Sequence, residues 1–431
     1  MPRRAAGVPV VLLMMTGLYA ASSNAADVNA VFSLGAAYTD NIDRLDSGGR
    51  DETIAQGGMS LAIAETSRRI DADVRSSLTY YDYIDDTYES DLVGAVDALI
   101  DLNVVEGRVQ WLTQETFGRT LFDPFQPARP ENLENLNYLT TGPTIVLFQG
   151  VRNDSGVDLR YSWVNYETRP FDNETANARF WIGRDIRRDH RLSINFELAE
   201  TEFDNGGLTP DYERRSAFLR YEVDSGRNQL EIDVGVTEQE ILSQTDDGVM
   251  FAVAWTRQIS ASSQFFLNLT RQFADQANVF RYQQDISRDI DSIGDLTENG
   301  SPFLLNSIDV GYSATGERTI FSISAGASDQ EFETQGRLDR EDLRIDLFAR
   351  RNLTRRLFTS IDLRFHKREL PNIARDDETR SASLSVGFQL SAAFDLTFRY
   401  TRISQDSTTV TNKYEENRGD LTLNYIPAWG R

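Results

Sequence analysis

The sequence has no cysteine and only two histidines, His190 and His366, among its 431 residues. The absence of cysteine excludes disulfide bridges and thiolate metal sites. Two imidazoles argue against a metal site built from histidine alone, so we expect no metal and no other cofactor. Basic residues are also scarce, with 44 Lys and Arg against 67 Asp and Glu and a net charge of -23. Since proteins bind nucleic acids by neutralising phosphates with Lys and Arg, this balance argues against a nucleic-acid partner.

Long apolar segments are the second absence. After the N-terminal segment, no apolar run approaches the ~20 residues that a membrane-spanning helix requires, and no long stretch shows the helical period of 3.6 residues. The apolar stretch from Val8 to Tyr19 follows a short basic start and precedes Ser23-Asn24-Ala25, which fits a small-x-small cleavage pattern. We therefore predict a cleaved signal peptide over residues 1–25 and a single domain over residues 26–431.

What the sequence has instead is a repeated two-residue period. In AFDLTFRYTR, residues 393–402, apolar side chains alternate with polar ones: Phe394, Leu396, Phe398 and Tyr400 with Asp395, Thr397, Arg399 and Thr401. Successive side chains of a strand point to opposite faces, so this strand has one apolar face and one charged face. The pattern recurs in about twenty segments of roughly ten residues, the length of a tilted transmembrane strand.

Strands with one apolar and one polar face suit a wall between lipid and water. In hydrocarbon every backbone hydrogen-bonding group needs a partner, so a sheet there must close on itself. We therefore predict an all-β fold, a transmembrane antiparallel up-and-down β-barrel of about twenty strands, with eighteen as the alternative count. Soluble β-sandwiches also have alternating strands, but these are usually shorter and their connections need not alternate in length.

The predicted connections alternate between short, Arg-rich turns and longer segments rich in Asp, Asn and Gly. Short turns include Thr66–Arg69 and Arg351–Arg355, whereas the two longest connections cover residues 118–137 and 275–302. Bacterial outer-membrane barrels have short periplasmic turns and longer outer loops. We expect a barrel in the outer membrane of a Gram-negative bacterium, surrounded by outer-membrane lipid, with both termini in the periplasm.

The run Tyr38-Thr39-Asp40-Asn41-Ile42-Asp43-Arg44-Leu45 resembles the start of a known family of barrels. These are the outer-membrane β-barrels found with exopolysaccharide operons, called EpsL-like or β-barrel porin type 2, whose first strand ends in Tyr-x-Asp-Asn with Arg-Leu following. The alternative interpretation is a simple turn, because Asp and Asn are favoured in turns at strand ends in any protein. The resemblance implies export of a surface polysaccharide together with periplasmic export components, and it implies no catalytic residues.

The polar faces place charged side chains of both signs in the predicted lumen. The candidates are Asp73, Arg75, Asp158, Arg160, Arg179, Arg220, Glu222, Arg344, Asp346, Asp362, Arg364 and Arg399. Such residues either create a transverse field that orients sugars or ions, or fill a wide lumen with ion pairs and water. The pattern favours the second interpretation for most of them, while a few at the narrowest point set selectivity. The inward aromatic residues Tyr81, Tyr166 and Trp181 are candidates for stacking on sugar rings, although such rings also simply fill space.

Two further features bear on function. Residues 118–137 contain three prolines and two phenylalanines, and residues 275–302 are long, so we expect at least one of these loops to fold inward as a constriction. His366 shares the inward face with Asp362, but no nucleophile stands at a distinctive spacing, so the sequence predicts no enzyme.

The function that follows is a passive outer-membrane conduit, which the family resemblance assigns to exopolysaccharide export. A general diffusion porin for small polar solutes and a closed accessory barrel are the alternatives. No feature of the sequence indicates an oligomeric state.

Overall fold

The computed structural model of the chain describes residues 26–207, 209–275, 302–332 and 336–428. The predicted signal peptide and residues 276–301 of the predicted long loop lie outside the described residues. The structure contains twenty strands: β1 (Asp27–Thr39), β2 (Glu52–Thr66), β3 (Ile70–Tyr83), β4 (Asp91–Val105), β5 (Val109–Leu121), β6 (Leu133–Gln149), β7 (Asn153–Tyr166), β8 (Asn173–Arg187), β9 (His190–Phe203), β10 (Tyr212–Ser225), β11 (Asn228–Ile241), β12 (Gln244–Ser260), β13 (Ser263–Ala274), β14 (Phe303–Thr315), β15 (Thr319–Phe332), β16 (Arg340–Asn352), β17 (Leu357–Leu370), β18 (Arg375–Gln389), β19 (Phe394–Ser407) and β20 (Tyr414–Tyr425).

Every strand pairs in antiparallel fashion with its neighbours in the chain, and the last strand pairs with the first. The closing ladder joins β1 to β20 from Phe32 opposite Tyr425 to Thr39 opposite Arg418. The sheet therefore has no free edge, and the predicted fold class is confirmed with twenty strands. Within the described ranges, the only helical elements are 3-10 turns of three residues. No helix found among these residues has the length and apolar character needed to cross a membrane.

The two faces of the wall reverse the usual exposure of apolar and polar residues. On β9, Leu198 is 57% exposed on the outer face, while Asn195 on the inner face is 2% exposed. β19 follows the predicted alternation, with Phe398 and Tyr400 exposed on the outside. An apolar outer band around a polar interior is the arrangement of a membrane barrel with a polar lumen.

The two ends of the barrel differ in their connections. At one end, here called the turn end, nine connections have two to four residues. At the other end, the loop end, the connections are mostly longer, and they include all the 3-10 turns of the described residues. The loop predicted at 118–137 is shorter in the structure and spans Phe122–Asn132, because β5 continues to Leu121 and β6 begins at Leu133. The β11–β12 connection is only Leu242–Ser243, whose φ angles of 49° and 67° match the left-handed pair of a type I′ hairpin.

Candidate functional site

The lumen is closed at the loop end and accessible near the turn end. At the loop end, the inward residues Thr39 and Phe303 are 0% exposed and Arg340 is 1% exposed. Toward the turn end, the inward side chains of Asp73 and Arg75 are 55% and 58% exposed. All these residues face inward by the alternation of their strands. The difference in their exposure therefore shows that protein atoms fill the lumen at the loop end and leave it open to solvent toward the turn end.

Part of the closure is an apolar cluster that bridges the lumen, here called the mouth cluster. Its buried members are Leu136, Tyr138, Val164, Tyr166, Ala274, Phe303, Phe332 and Leu338. They come from β6 and β7 on one side and from β13, β14, β15 and the β15–β16 connection on the other. β6 and β14 are eight strands apart along the wall, so side chains from both can share one cluster only across the opening.

The β5–β6 connection, Phe122–Asn132, covers a further part of the mouth and is here called the plug loop. Phe125 packs against the mouth cluster. Its carbonyl oxygen accepts hydrogen bonds from Arg375 Nη1 at 2.8 Å and Asn412 Nδ2 at 2.7 Å. Arg44 Nη1 donates to the carbonyl oxygen of Ala128 at 2.5 Å. β18, which carries Arg375, is seven strands from β5 around the wall, so the plug loop crosses the opening to reach it.

The plug loop has a defined shape of its own. The buried Asn132 side chain accepts from the backbone N–H of Asp123 at 2.8 Å and donates to the carbonyl oxygens of Asp123 and Pro127 at 2.8 and 3.1 Å. The Asp123 carboxylate accepts from the N–H of Phe125 at 2.8 Å. Because three prolines also fix φ along the loop, its carbonyls are held in place for the donors on the opposite wall.

The sequence run that resembles the known family forms a buried latch at the β1–β20 seam. Glu416 accepts from Thr39 Oγ1 at 2.7 Å and from Arg44 Nε at 2.9 Å. The Arg44 and Glu416 side chains are almost fully buried. Arg44 also lies over the Tyr414 ring, 5.5 Å from its centre. Through its second contact, to Ala128, Arg44 joins this seam latch (Thr39, Arg44 and Glu416) to the plug loop.

Asp43, the residue before Arg44, ties the β1–β2 loop to the β3–β4 loop. Its carboxylate accepts from Arg50 at 2.8 and 2.6 Å and from the Tyr88 hydroxyl at 2.7 Å. The hydrogen bonds from Arg50 lower the pKa of Asp43 to about 2, with a smaller contribution from Tyr88. Burial, followed by the hydrogen bond to Asp43, raises the pKa of Tyr88.

This pairing predicts how the β1–β2 loop responds to acid. Because the folded pKa of Asp43 lies below its ordinary value of 3.8, its stabilising contribution is present above about pH 4 and is lost as pH falls through about 2. Arg50→Gln should raise the pKa of Asp43 toward its ordinary value. On acidification the loop of this variant should therefore open at a pH about one unit or more higher than in the wild type. Pepsin cleavage beside Leu45, followed from about pH 4 downward, measures the opening. Arg50→Lys keeps the charge and should open between the two, whereas equal opening of all three proteins would contradict the prediction.

Below the mouth cluster lies a cavity of about 1000 Å³, bounded by residues of β5 to β17. Tyr138, Val164 and Ala274 belong both to the cluster and to the cavity wall, so the cluster is its roof. Seven acidic residues line the cavity: Asp158, Glu197, Glu231, Asp233, Asp275, Asp309 and Asp342. Six arginines and His366 face them: Arg160, Arg179, Arg214, Arg220, Arg340 and Arg344. The cavity is thus nearly neutral although the whole chain carries a net charge of -23.

The charges of the cavity are organised as pairs on neighbouring strands. Arg179 donates twice to Asp158, at 2.9 and 2.7 Å. Arg220 forms a two-pronged pair with Asp233 at 2.8 and 2.7 Å. The positively charged side chain in both pairs is an arginine, whose planar guanidinium can donate two hydrogen bonds to one carboxylate. The paired groups hold a fixed array of donors and acceptors along the wall.

The third group of charges surrounds Asp342. Its carboxylate lies 3.0 Å from His366 Nε2, 3.0 Å from Arg368 Nε and 3.2 Å from Arg340 Nε. His366 thus contacts Asp342 on β16 rather than Asp362 on its own strand. His190 is hydrogen-bonded to the Tyr221 hydroxyl at 2.6 Å. No cluster of three metal-binding side chains occurs in the part of the chain that the structure describes.

Five of the predicted lumen charges line the cavity: Asp158, Arg160, Arg179, Arg220 and Arg344. The other seven lie elsewhere on the wall: Asp73 and Arg75 as a pair at 3.1 Å, Asp362 and Arg364 as a pair at 3.0 Å, Asp346 at 3.2 Å from Arg344, Glu222 at 3.8 Å from Arg191 and Arg399 at 3.3 Å from the Ser385 hydroxyl. The structure therefore brings only part of the predicted set together, and a role in selectivity stays a prediction for all twelve.

Of the three predicted sugar-stacking rings, Tyr166 is buried, and Tyr81 and Trp181 are half-buried. Tyr166 is buried in the mouth cluster, with the Arg169 guanidinium 4.9 Å from its ring centre. Trp181 lies under the guanidinium of Arg191 at 4.8 Å. Tyr81 lines a small pocket between the seam latch and the plug loop. Sugar stacking therefore stays a prediction, and at Tyr166 it would require the mouth cluster to open.

Sequence reasoning missed the mouth cluster and the seam latch. The signal for the cluster was present: Leu136, Val164 and Phe303 are apolar residues at inward positions, all close to the same end of their strands. The signal for the latch was weaker, because Arg44 and Glu416 are 372 positions apart in the chain. Only the closure of the barrel brings them together.

Comparison with known proteins gives one family match. The family model described as "Putative beta-barrel porin 2" matches residues 314–425, about a quarter of the chain. No curated protein matches the sequence.

Several solved structures match nearly the whole chain at low similarity. The siderophore receptor PirA from Acinetobacter baumannii has 8% identity and a TM-score of 0.46, over 93% of this chain and 80% of that chain. A variant of the FrpB iron transporter from Neisseria meningitidis has 8% identity and a TM-score of 0.43, over 93% of this chain and 82% of that chain. A loop-deletion mutant of OmpT from Vibrio cholerae has 9% identity and a TM-score of 0.35, over 94% of this chain and all of that chain. No functional conclusion follows from similarities of this size.

Proposed function

We propose that this porin-type barrel is an outer-membrane conduit for a hydroxyl-rich polymer, an exported polysaccharide, and that the plug loop closes it at rest. The observation that carries the proposal is the roofed, nearly neutral cavity lined with paired arginines and carboxylates. The turn end, where the lumen is accessible, then faces the periplasm as in other outer-membrane barrels. The polymer enters there together with its periplasmic export components.

The chemistry of the wall supports this substrate class. A sugar chain that leaves bulk water must replace the hydrogen bonds of its hydroxyl groups, because burying unpartnered polar groups is costly. The cavity provides alternating donors and acceptors for that purpose. Since its charges nearly cancel, it offers no strong field for small ions of one sign, unlike the rings of charge that select ions in channels.

Single-channel recording of the refolded mature chain tests the proposal. In planar bilayers we expect the wild type to be closed most of the time, with brief openings. Polysaccharide added on the turn-end side should remove most of the open-state current. A steadily open channel that is indifferent to polymer would instead identify a diffusion porin and contradict the proposal. Loss of secreted glycan, rather than of small-solute uptake, is the matching result in cells that lack the protein.

A further inference from the structure

The distribution of charge along the barrel axis is uneven. The nine turn-end connections contain nine arginines and three acidic residues. By sequence, the ten loop-end connections contain 21 acidic and eight basic residues. The arginines of the turns are Arg68, Arg69, Arg108, Arg152, Arg188, Arg227, Arg318, Arg355 and Arg356. A strongly acidic chain therefore has a basic rim at one end, here called the turn-end rim.

The turn-end rim is exposed and hardly neutralised. All nine arginines are exposed. Arg68 pairs with Glu106 at 2.6 Å, and both side chains remain largely in solvent. For the other eight, no ion pair is found among the residues that the structure describes. Elsewhere in this barrel arginines are commonly paired with carboxylates, so the rim is a surface suited to an external anion.

Exposed apolar side chains stand beside these arginines. Val151, next to Arg152, is 99% exposed, and Leu353, near Arg355, is also exposed. Val105 and Ile186 are exposed at the strand ends of two other turns. Because the turns are short, these apolar residues and the neighbouring arginines all lie at the edge of the apolar outer band. An apolar side chain next to a cationic one matches the boundary between acyl chains and headgroups, where the charge reaches the phosphate layer.

We propose that the turn-end rim binds anionic phospholipid headgroups of the leaflet that it meets. The guanidinium fork fits the oxygens of a phosphodiester in a two-pronged way, and only two of the 44 basic residues of the chain are lysines. The arginines occupy seven of the nine turns and so encircle the barrel. A lipid leaflet also surrounds the whole barrel, whereas an acidic protein partner would cover only a sector of the rim.

The inference depends on membrane insertion and not on the cargo of the lumen. The test is the refolded chain in vesicles of phosphatidylcholine with added phosphatidylglycerol. Brominated phosphatidylglycerol should quench tryptophan fluorescence severalfold more efficiently than brominated phosphatidylcholine. Trp111 and Trp255, on strands β5 and β12 near the turn end, are the reporters. The preference should weaken as salt rises to about 1 M, because salt screens exposed charges.

Two variants with equal changes in charge make the test specific. The rim variant is R152Q/R188Q/R355Q/R356Q, and the control, R215Q/R271Q/R380Q/R402Q, removes four outward arginines toward the loop end. The rim variant should lose the preference and the control should keep it. A wild type without preference, or a preference that is equal in both variants, would overturn the proposal. Rim-dependent binding of a polyglutamate probe without any lipid preference would assign the rim to an acidic protein instead. If the rim variant does not refold, salt insensitivity of the wild-type preference remains sufficient to refute the idea.

Discussion

Removal of the plug loop should convert a mostly closed barrel into an open channel. In the variant, Asp123–Glu131 is replaced by a short Gly-Ser linker, which eliminates Phe125 and the carbonyl oxygens that Arg44, Arg375 and Asn412 contact. The mouth cluster should still cover the side of the lumen between β6 and β15. The sector bounded by β18, β1 and β5 should open, and single-channel conductance measures the change.

The size of the effect follows from the lost hydrogen bonds. Three hydrogen bonds at about 1 kcal/mol each amount to about 3 kcal/mol, and 1.4 kcal/mol corresponds to a tenfold change in an equilibrium. The ratio of open to closed time should therefore rise about a hundredfold. Arg375→Ala alone removes one of the donors, worth about 1 kcal/mol, and should raise the ratio of open to closed time about fivefold.

Two controls separate the plug from other changes at the loop end. A Gly-Ser replacement of the same length as the plug loop tests whether specific contacts or mere bulk close the lumen, and it should open the channel as the short linker does. Arg402→Gln removes an arginine whose ion pair with Glu415 is exposed on the outer face, and it should leave conductance unchanged. A plugless barrel that stays closed would show that the mouth cluster alone seals the lumen.

The strands could be predicted from sequence because the alternation rule is local. Along β19, four apolar and four polar residues alternate, and each falls on the expected face. The same rule, pursued further, would have extended β5 and β6: Thr120 and Glu134 continue the inward series and are buried. The three prolines all lie within the connection Phe122–Asn132, so they interrupt neither strand.

The closure of the lumen could not be predicted, because alternation tells which face a residue occupies and not what stands opposite. Tyr166 was identified as inward, but its neighbours across the opening belong to strands more than a hundred positions further along the chain. His366 shows the same limit. Its own strand offers Asp362, but the register of β16 against β17 places His366 opposite Arg344, next to the carboxylate of Asp342. Contacts between strands depend on register, which a single sequence leaves open.

Breaking the seam latch should both destabilise the barrel and open it. Glu416→Ala leaves the buried Arg44 guanidinium without its carboxylate, a change that typically costs roughly 3–5 kcal/mol. The temperature at which the barrel unfolds, read from its shift in gel mobility, should fall clearly. Arg44→Ala should also destabilise, although Glu416 keeps its hydrogen bond from Thr39. This variant additionally loses the contact to Ala128, so it should open more often.

A double replacement separates these two roles of Arg44. Buried ion pairs can often be exchanged for apolar residues of similar volume at little cost in stability. The variant Arg44→Met with Glu416→Leu should therefore unfold close to the wild-type temperature. It still lacks the donor to the Ala128 carbonyl, so its ratio of open to closed time should remain raised, about fivefold for one lost hydrogen bond. A double variant that is stable and closed would show that the latch only holds the seam. A stable but open one would show that the run from Tyr38 to Leu45 couples closure of the β1–β20 ladder to closure of the lumen.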